Sequence, residues 1–306
     1  MIGLGLDTGG SSSRWLLLDE QGREVGSGSA PPITGHIFTE EGRAENLGRL
    51  REVLRAASEV AQPDAVVGGI TGLHRDTPAA ETLQREICRA LALDLEQVKL
   101  DNDMSVAYAS VLRPGEGVLV YAGTGSIAYH VSLGGGVIRA GGYGYLLGDE
   151  GGGFWIGQQG LRQVLRWFDR SGQPETRPLA REVYGALGSE HWNDIIEVVY
   201  GGGRRRVAAL APAVASAAEA GDEAAAEILE RAGAELAGLA GTIFARLGEP
   251  LPVVFSGGVA RSHVVAAALE RHLPAGSLER ASSEPVRAAA ELALELASVS
   301  EREAKL

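Results

Sequence analysis

Residues 2–19 read IGLGLDTGGSSSRWLLLD, two short apolar segments separated by a turn of glycine and hydroxyl residues. The same arrangement recurs at residues 117–133, which read GVLVYAGTGSIAYHVSL. Each apolar segment has the length and composition of a β-strand, so each stretch predicts a strand–turn–strand hairpin. The decisive feature is therefore a glycine-tipped hairpin that occurs twice in one chain.

Later segments of the chain repeat the pattern as well. Two apolar strands, at residues 65–70 and 251–255, are each followed by a hydroxyl residue and then by glycine. The repetition predicts a duplicated α/β domain with a cleft between the copies. We expect one lobe to contain residues 1–113 together with a C-terminal helix at 286–306, and the other to contain residues 114–285.

Four segments have helical character. Residues 45–60, 77–93 and 208–247 show helical spacing of apolar residues, and 284–298 is rich in Ala, Leu and Glu. Gly221-Asp222 interrupts the third segment, and Asp222 is predicted as the N-cap of its second half. We expect the last helix to lie on the surface of one domain without a chemical role.

Composition places the chain among ordinary globular proteins. Of 306 residues, 45% are hydrophobic and 22% are charged, which excludes a disordered or fibrous protein. The net charge of −12 argues against bulk nucleic-acid binding, which depends on basic patches. Cys88 is the single cysteine, so an intramolecular disulfide is impossible and we expect a reducing cytoplasm. Neither a signal peptide nor a membrane helix of about 18 apolar residues is expected.

The tips of both hairpins are suited to phosphate binding. They contain Gly9-Gly10-Ser11 and Gly123-Thr124-Gly125-Ser126. Glycine leaves backbone N–H groups accessible, so these groups can converge on phosphate oxygens. Neither tip is a Walker A loop, because the Gly-Lys-Ser/Thr sequence is missing, and neither is a Rossmann fingerprint, because each leads into a strand. A pair of such turns predicts a clamp for the phosphates of a nucleotide.

Two acids have candidate roles in phosphoryl transfer. Asp7 precedes the first turn, where a carboxylate suits Mg²⁺ through water; the alternative is an Asp that caps the turn. Asp103 precedes a predicted helix, where it is suited to accept the proton of a sugar hydroxyl. The alternative is an N-cap, for which Asp101 and Asp103 are equally suitable.

A third glycine cluster surrounds acids and tyrosines. Residues 141–153 read GGYGYLLGDEGGG, and a helix is expected from Phe154. A plain connecting loop does not require this density of glycine, so the segment predicts a binding loop. Within it, Asp149 is suited to accept hydrogen bonds from sugar hydroxyl groups.

Taken together, these segments resemble the N-acetylglucosamine kinase and BadF/BcrA-type ATPase family of the sugar kinase/Hsp70/actin superfamily. The family's Asp-Gly-Gly-Gly-Thr motif is similar to residues 7–11, and its Gly-Thr-Gly-Ser motif is present unchanged at residues 123–126. The family's Gly-Gly-Trp-Gly…Gly-Asp-Glu-Gly loop resembles residues 141–151. Through the resemblance, Asp103 corresponds to the catalytic aspartate. The adenosine site corresponds to Gly257 and Gly258, with Gly221 at the helix break.

The resemblance implies two ribonuclease-H-like domains, as in actin-like ATPases, flanking a nucleotide cleft. It implies MgATP as the nucleotide, an amino sugar as the second substrate, and usually a homodimer. The implied reaction is in-line transfer from ATP to a sugar hydroxyl, commonly O6, with closure that excludes water.

The sugar-binding segments depart from the family pattern. The Asn that contacts the sugar in family members is missing from residues 30–38, and Thr34 or His36 is expected to make this contact instead. The alternative for His36 is a surface loop residue without a contact to the sugar. Thr71 replaces a small residue, and Tyr143, next to Gly144, replaces the usual Trp. The acceptor therefore stays open among glucosamine, N-acetylglucosamine and N-acetylmuramic acid, and a lactyl ether requires a cation, for which Arg75 is a candidate.

Two other functions belong to the same superfamily. A radical-dehydratase activator holds an iron–sulfur cluster between two subunits through a pair of cysteines from each. Because Cys88 is the single cysteine, two copies of this chain supply two thiols and not the four that the cluster needs, which disfavours this function. A non-catalytic sugar or nucleotide sensor is disfavoured because Asp7, Asp103 and Asp149 are all retained. An amino-sugar kinase is the interpretation that the sequence favours.

Overall fold

The structure, a computed structural model, describes residues 1–9, 12–35 and 39–303. The chain folds as two units. The first unit contains Met1–Val111 together with the segment that begins at Ser283, and the second contains Leu112–Ser282. Each unit has its own five-stranded sheet and its own hydrophobic core.

The sheet of the first unit has the order β3-β2-β1-β4-β5. Its strands are β1 Ile2–Thr8, β2 Ser13–Asp19, β3 Glu24–Ala30, β4 Ala65–Ile70 and β5 Val98–Asp101. The first three strands are antiparallel, whereas β4 and β5 run parallel to β1. The carboxyl ends of β1, β4 and β5 therefore meet at one edge of the sheet, which is where open α/β sheets bind their ligands.

Three helices follow these strands in the first unit. They are α1 Glu40–Val60, α2 Pro78–Leu91 and α3 Asp103–Ala109. Helix α1 begins five residues before the predicted start, because Thr39 caps it by accepting a hydrogen bond from the Gly42 N–H. Helix α2 stops at Leu91, two residues earlier than predicted, because Ala92 has a left-handed conformation with φ 55°.

The sheet of the second unit has the order β8-β7-β6-β9-β10. Each of its strands therefore occupies the same place as its counterpart in the order β3-β2-β1-β4-β5 of the first sheet. Its strands are β6 Val118–Ala122, β7 Ser126–Val131, β8 Val137–Gly141, β9 Val253–Ser256 and β10 Leu278–Arg280. Here too the first three strands are antiparallel and the last two run parallel to β6. The duplicated strand pattern predicted from the sequence is confirmed.

The second unit contains six α-helices. They are α4 Gly153–Ser171, α5 Pro178–Leu187, α6 Trp192–Ala208, α7 Ala211–Glu219, α8 Glu223–Leu247 and α9 His263–Arg271. Of these, α8 packs against β6, β7 and β8. The predicted break is confirmed: the Asp222 carboxylate accepts the N–H of Ala225 as the N-cap of α8. The carboxylate also accepts the N–H of Leu179, which joins the start of α5 to the start of α8.

The last helix, α10 Pro285–Glu303, returns to the first unit. It packs against β1, β2 and β4. Ala289, Ala290 and Ala293 on this helix are fully buried, whereas Glu291 and Glu295 are exposed, so α10 packs one face on a single unit, as the sequence predicted. In the described part of the chain, no helix combines the length and the apolar character needed to cross a membrane.

Candidate active site

The first hairpin tip is partly described. The Gly9 N–H donates to the Ser12 carbonyl oxygen at 2.9 Å, which closes the turn between β1 and β2. Thr8 is the last residue of β1 and has the extended backbone of a strand, so it is accommodated where the family motif has glycine. Two predicted phosphate ligands, Gly10 and Ser11, lie outside the described residues.

Asp7 lies at the carboxyl end of β1, one residue before its end. Its side chain is 13% exposed, and its Oδ2 accepts a hydrogen bond from Arg14 at 2.5 Å. The two residues are directly opposite each other in the β1–β2 register, so the antiparallel pairing itself creates this ion pair. Arg14 was not among the residues predicted for the site.

Asp103 is the first residue of α3, directly after the edge where β5 ends. The helix is capped by Asn102, whose side chain accepts the Met104 N–H at 3.0 Å, so the alternative that Asp101 or Asp103 is the N-cap is wrong. Because the capping position is filled by its neighbour, Asp103 is free to face the sheet edge. Its Oδ2 accepts a hydrogen bond from the Thr71 hydroxyl at 2.6 Å.

The electrostatic surroundings favour a proton on Asp103. Burial raises the pKa of Asp103 above its ordinary value, and the hydrogen bond from Thr71 opposes this change in part. The negative charge of Asp7 raises the pKa further, which shows that the two carboxylates are close enough to interact. A carboxylate with a raised pKa is a stronger base than an ordinary aspartate.

Two predicted sugar-contact residues lie beside Asp103 or one step away. Thr71 donates to Asp103, and the Thr34 hydroxyl donates to the Thr71 carbonyl oxygen at 3.1 Å. Asn46, buried on α1, accepts the N–H of Thr34 at 2.9 Å and donates to its carbonyl oxygen at 2.8 Å. The position of Thr34 is thus fixed from the helix behind it. His36 lies outside the described residues.

The second hairpin tip is anchored on α4. The Gly153 N–H donates to the Gly123 carbonyl oxygen at 2.8 Å, and the Phe154 N–H donates to that of Thr124 at 2.9 Å. The first N–H groups of α4 therefore donate hydrogen bonds to the carbonyl oxygens of the turn. For the N–H groups of Thr124 and Gly125, no partner is found among the residues that the structure describes, so both remain available for an anion.

Asp149 is 4% exposed and has a left-handed backbone with φ 67°. Its Oδ2 accepts a hydrogen bond from Arg204 at 2.7 Å, and its Oδ1 accepts the Ser126 N–H at 3.4 Å. The carboxylate thus lies against the second hairpin tip, in an ion pair. Its role in sugar binding stays a prediction.

The middle of the glycine-rich loop, residues 142–147, is largely exposed. Tyr143 is 63% exposed, and the Arg139 guanidinium lies 5.6 Å from its ring centroid. The Gly144 carbonyl oxygen accepts the N–H groups of Leu147 and Gly148, which closes a turn. Tyr143 is therefore exposed to solvent and Gly144 is half-buried, whereas Asp149 is buried.

The glycines predicted for the adenosine site have different surroundings. Gly257 follows β9 with φ 98°, and a Cβ atom there would lie 2.5 Å from the Ala122 carbonyl oxygen, so its backbone touches the residue before the second hairpin tip. Gly258 begins a short 3₁₀ helix, Gly258–Arg261. Gly221 has φ 84° between α7 and α8, and its Cβ position faces open space.

Residues that sequence reasoning missed are mainly cations. Arg14 and Arg204 both pair with predicted site carboxylates. A signal for Arg204 is present, because Gly201-Gly202-Gly203 precedes Arg204-Arg205-Arg206, and glycines followed by arginines are unusual within a helix.

Comparisons with known proteins identify a family and several relatives. Residues 4–293 match the family model of the BadF/BadG/BcrA/BcrD ATPase family. The chain is 31% identical over 194 residues to an N-acetylmuramic acid/N-acetylglucosamine kinase of Clostridium acetobutylicum; the match covers 63% of this chain and 60% of that relative. It is 28% identical over 316 aligned positions to an N-acetyl-D-glucosamine kinase of Dictyostelium discoideum, covering 96% and 98% of the two chains.

The fold is also that of a solved structure. A protein from Chromobacterium violaceum, assigned as an N-acetylglucosamine kinase, superimposes with a TM-score of 0.70 at 25% identity, covering 97% of this chain and 98% of that one. The fold class and the family resemblance predicted from the sequence are both confirmed.

Proposed function

We propose that the chain, which belongs to the BadF/BadG/BcrA/BcrD ATPase family, transfers a phosphoryl group from ATP to a hydroxyl group of an amino sugar. One observation carries the proposal. Asp103 lies at the carboxyl edge of the first sheet with its carboxylate bonded to Thr71 and its pKa raised by burial. This is the position and the acidity expected of a base that deprotonates an alcohol.

The chemical role of Asp103 follows from its contacts. The Thr71 hydroxyl donates to Oδ2, which fixes the orientation of the carboxylate that accepts the proton of the sugar hydroxyl. As the proton moves to Asp103, the sugar oxygen becomes the nucleophile that attacks the γ-phosphorus atom of ATP. The attack is in line with the bond between this phosphorus and the bridging oxygen, which breaks so that ADP leaves. The nearby charge of Asp7 favours the protonated state that this transfer produces.

The backbone of the hairpin tips supplies the phosphate contacts. The N–H groups of Thr124 and Gly125 are proposed as donors to phosphate oxygens, as are Gly9, Gly10 and Ser11 in the first unit. Donors fixed in this way stabilise negative charge without reorganising during the reaction. Gly257 and Gly258 are proposed to contact the adenosine, together with Gly221.

Asp7 fits a magnesium site. Mg²⁺ is commonly bound by one or two carboxylates, with waters and substrate phosphates completing its coordination, and Asp7 supplies one partly exposed carboxylate at the sheet edge. The described residues form no cluster of three or more His, Cys, Asp and Glu, so a cage built by the protein alone is not the arrangement. When bound, Mg²⁺ neutralises charge on the transferring phosphate.

Several residues at strand ends and in loops are proposed as sugar contacts. Thr34 and Thr71 lie beside the base, and Tyr143, Gly144 and Asp149 belong to the glycine-rich loop. His36 is retained as a proposed contact because its position in the sequence adjoins Thr34. Glucosamine, N-acetylglucosamine and N-acetylmuramic acid are the proposed acceptors. We also propose that the chain forms a homodimer, which sedimentation equilibrium of the purified chain tests. The proposed location is the cytoplasm.

The experiment is a coupled ADP-release screen with a fixed concentration of Mg²⁺. The acceptors are the three amino sugars, with glucose and mannose as plain hexoses. Release of ADP that depends on an amino sugar, and a phosphorylated sugar identified by mass spectrometry, are the expected results. Release of ADP without any sugar dependence contradicts the proposal and favours an ATPase, and binding of sugar and nucleotide without turnover favours a sensor.

A further inference from the structure

A cation lies beside the second hairpin tip. Arg204 donates to Asp149 at 2.7 Å, and a Cβ atom added to Gly125 would lie 2.7 Å from Nη2 of the same arginine. The guanidinium carbon is also 5.4 Å from the centroid of the Tyr145 ring. Arg204 therefore touches the turn whose amides are the proposed phosphate donors.

The hydrogen bonding of this arginine is incomplete. Nε of Arg204 is buried and has no hydrogen-bond partner in the part of the chain that the structure describes. A buried donor without a partner is unfavourable, and more so when the group is charged. The side chain as a whole is nonetheless 37% exposed, so a ligand can reach the guanidinium from solvent. An anion with several oxygens supplies the acceptor that Nε lacks.

The backbone at Arg204 permits a change of partner. Gly203 has φ 56° and ψ −151°, which interrupts α6 directly before the arginine. A residue that follows such a break is not held by a continuous ladder of helical hydrogen bonds on its N-terminal side. Hinge residues of this kind absorb the dihedral change when a side chain moves between two partners.

From these contacts, and on the basis of the proposed function, we propose that Arg204 is a phosphate ligand that exchanges Asp149 for the nucleotide. In the free protein the guanidinium is paired with Asp149. When phosphate oxygens occupy the amides of Thr124 and Gly125, the guanidinium turns to them, because a phosphate carries more negative charge than one carboxylate and accepts the same two-pronged donor. Asp149 is then released for the hydroxyl groups of the sugar.

The exchange couples the two substrates. While Asp149 is held by Arg204, a sugar must compete with an ion pair for the carboxylate. Nucleotide binding removes that competition, so it strengthens sugar binding, and by linkage the sugar strengthens nucleotide binding by the same factor. The proposal thus assigns Arg204 to nucleotide affinity and assigns the Arg204–Asp149 pair to the coupling.

The experiment is isothermal titration of a non-hydrolysable ATP analogue with Mg²⁺, and of N-acetylglucosamine, each with and without the other. Arg204→Met is compared with Arg205→Met, which removes the same charge from the next, exposed residue of the same helix. We expect Arg204→Met to raise the nucleotide Kd by about 10- to 100-fold, the range for losing hydrogen bonds to a charged group. We expect Arg205→Met to change it by less than about threefold.

The sugar titrations test the exchange itself. In the Arg205→Met control, the analogue should lower the sugar Kd; in Arg204→Met, the sugar Kd should be the same with and without the analogue. Because Arg204→Met leaves the buried Asp149 without its cation, the double variant Asp149→Asn/Arg204→Met is measured as well. If the single variant does not fold, the nucleotide Kd of the double variant decides.

The outcomes separate the two proposals. An unchanged nucleotide Kd in Arg204→Met or in the double variant overturns the role of Arg204, whether or not the wild type is a sugar kinase. Weakened nucleotide binding in a wild type that releases no ADP with any amino sugar supports Arg204 and contradicts the proposed function. A wild type that does not bind the analogue overturns both.

Discussion

Asp103→Asn removes the proposed general base with little change in shape. The asparagine side chain has the same size and keeps an oxygen that accepts the Thr71 hydroxyl, which is now 2.6 Å from Oδ2 of Asp103. Sugar binding should therefore persist. A general base contributes about 10²- to 10⁴-fold to a rate, which corresponds to roughly 3–5 kcal/mol of activation free energy.

The structure indicates that the loss should not be compensated. The neighbouring carboxylate, Asp7, is already bonded to Arg14 and is therefore a poor substitute base. We expect kcat to fall by the full factor of about 10²–10⁴, while the KM for the sugar changes by less than about threefold. Steady-state ADP release with the best acceptor of the screen measures both constants.

The matched control is Asp101→Asn. Asp101 is two residues earlier, ends β5, and pairs with the exposed side chain of Arg75 rather than with Thr71. This variant should keep kcat within about twofold of the wild type, since exposed ion pairs contribute little. A kcat for Asp103→Asn within tenfold of the wild type would refute the role of Asp103 as base.

The pH dependence provides a second test of the same residue. Burial raises the pKa of Asp103, so its ionised fraction, and with it kcat/KM, should rise with pH through a value above the ordinary aspartate pKa of about 3.9. This acidic limb should be absent from the residual activity of Asp103→Asn. A limb that persists unchanged in the variant belongs to another group and contradicts the assignment.

Three predictions concern stability and are measured by urea unfolding. Because the raised pKa of Asp103 means that its charge destabilises the folded state, Asp103→Asn should be more stable than the wild type at neutral pH, and the difference should vanish below about pH 3.9. The hydrogen bond from Arg51 lowers the pKa of Glu86, so Glu86→Gln should be less stable at neutral pH, with the difference shrinking as the pH falls below about 4.3. Gly257→Ala should lower the free energy of unfolding by about 1–3 kcal/mol, because the backbone of this residue has a positive φ. Gly238 is exposed on α8 with open space around it, so Gly238→Ala should instead raise the free energy of unfolding by up to about 1 kcal/mol.

The features predicted correctly from the sequence are those set by local patterns. Each glycine-tipped hairpin is specified by two apolar strands and the turn between them, so β1–β2 and β6–β7 are found where expected. The cap of α8 is likewise local, because Asp222 and the Ala225 N–H that it accepts are three residues apart.

The errors occurred where neighbouring residues compete for one structural role. Asp101, Asn102 and Asp103 are all good N-caps, and the sequence offers no reason to prefer the middle one. The structure decides because β5 continues through Asp101, which leaves Asn102 as the first residue outside the strand. A shift of one residue determines whether Asp103 caps a helix or faces the sheet edge.

Pairing between distant residues was beyond sequence reasoning. Arg204 is 55 residues after Asp149 along the chain, and their contact depends on how α6 packs against α4 and the hairpin tip. The pair of Arg14 and Asp7 depends on register: one residue more or less in the turn would place the arginine on the opposite face of the sheet.

The two units share strand order but not chemistry, and the difference is informative. In the first hairpin the second pair from the tip is Asp7 and Arg14, whereas in the second hairpin it is Tyr121 and Ile127. A carboxylate beside phosphate oxygens is repulsive unless it holds a cation or a proton. The first unit pairs Asp7 with Arg14, whereas the second unit offers backbone N–H groups at its hairpin tip and keeps its own buried acid, Asp149, in an ion pair with Arg204.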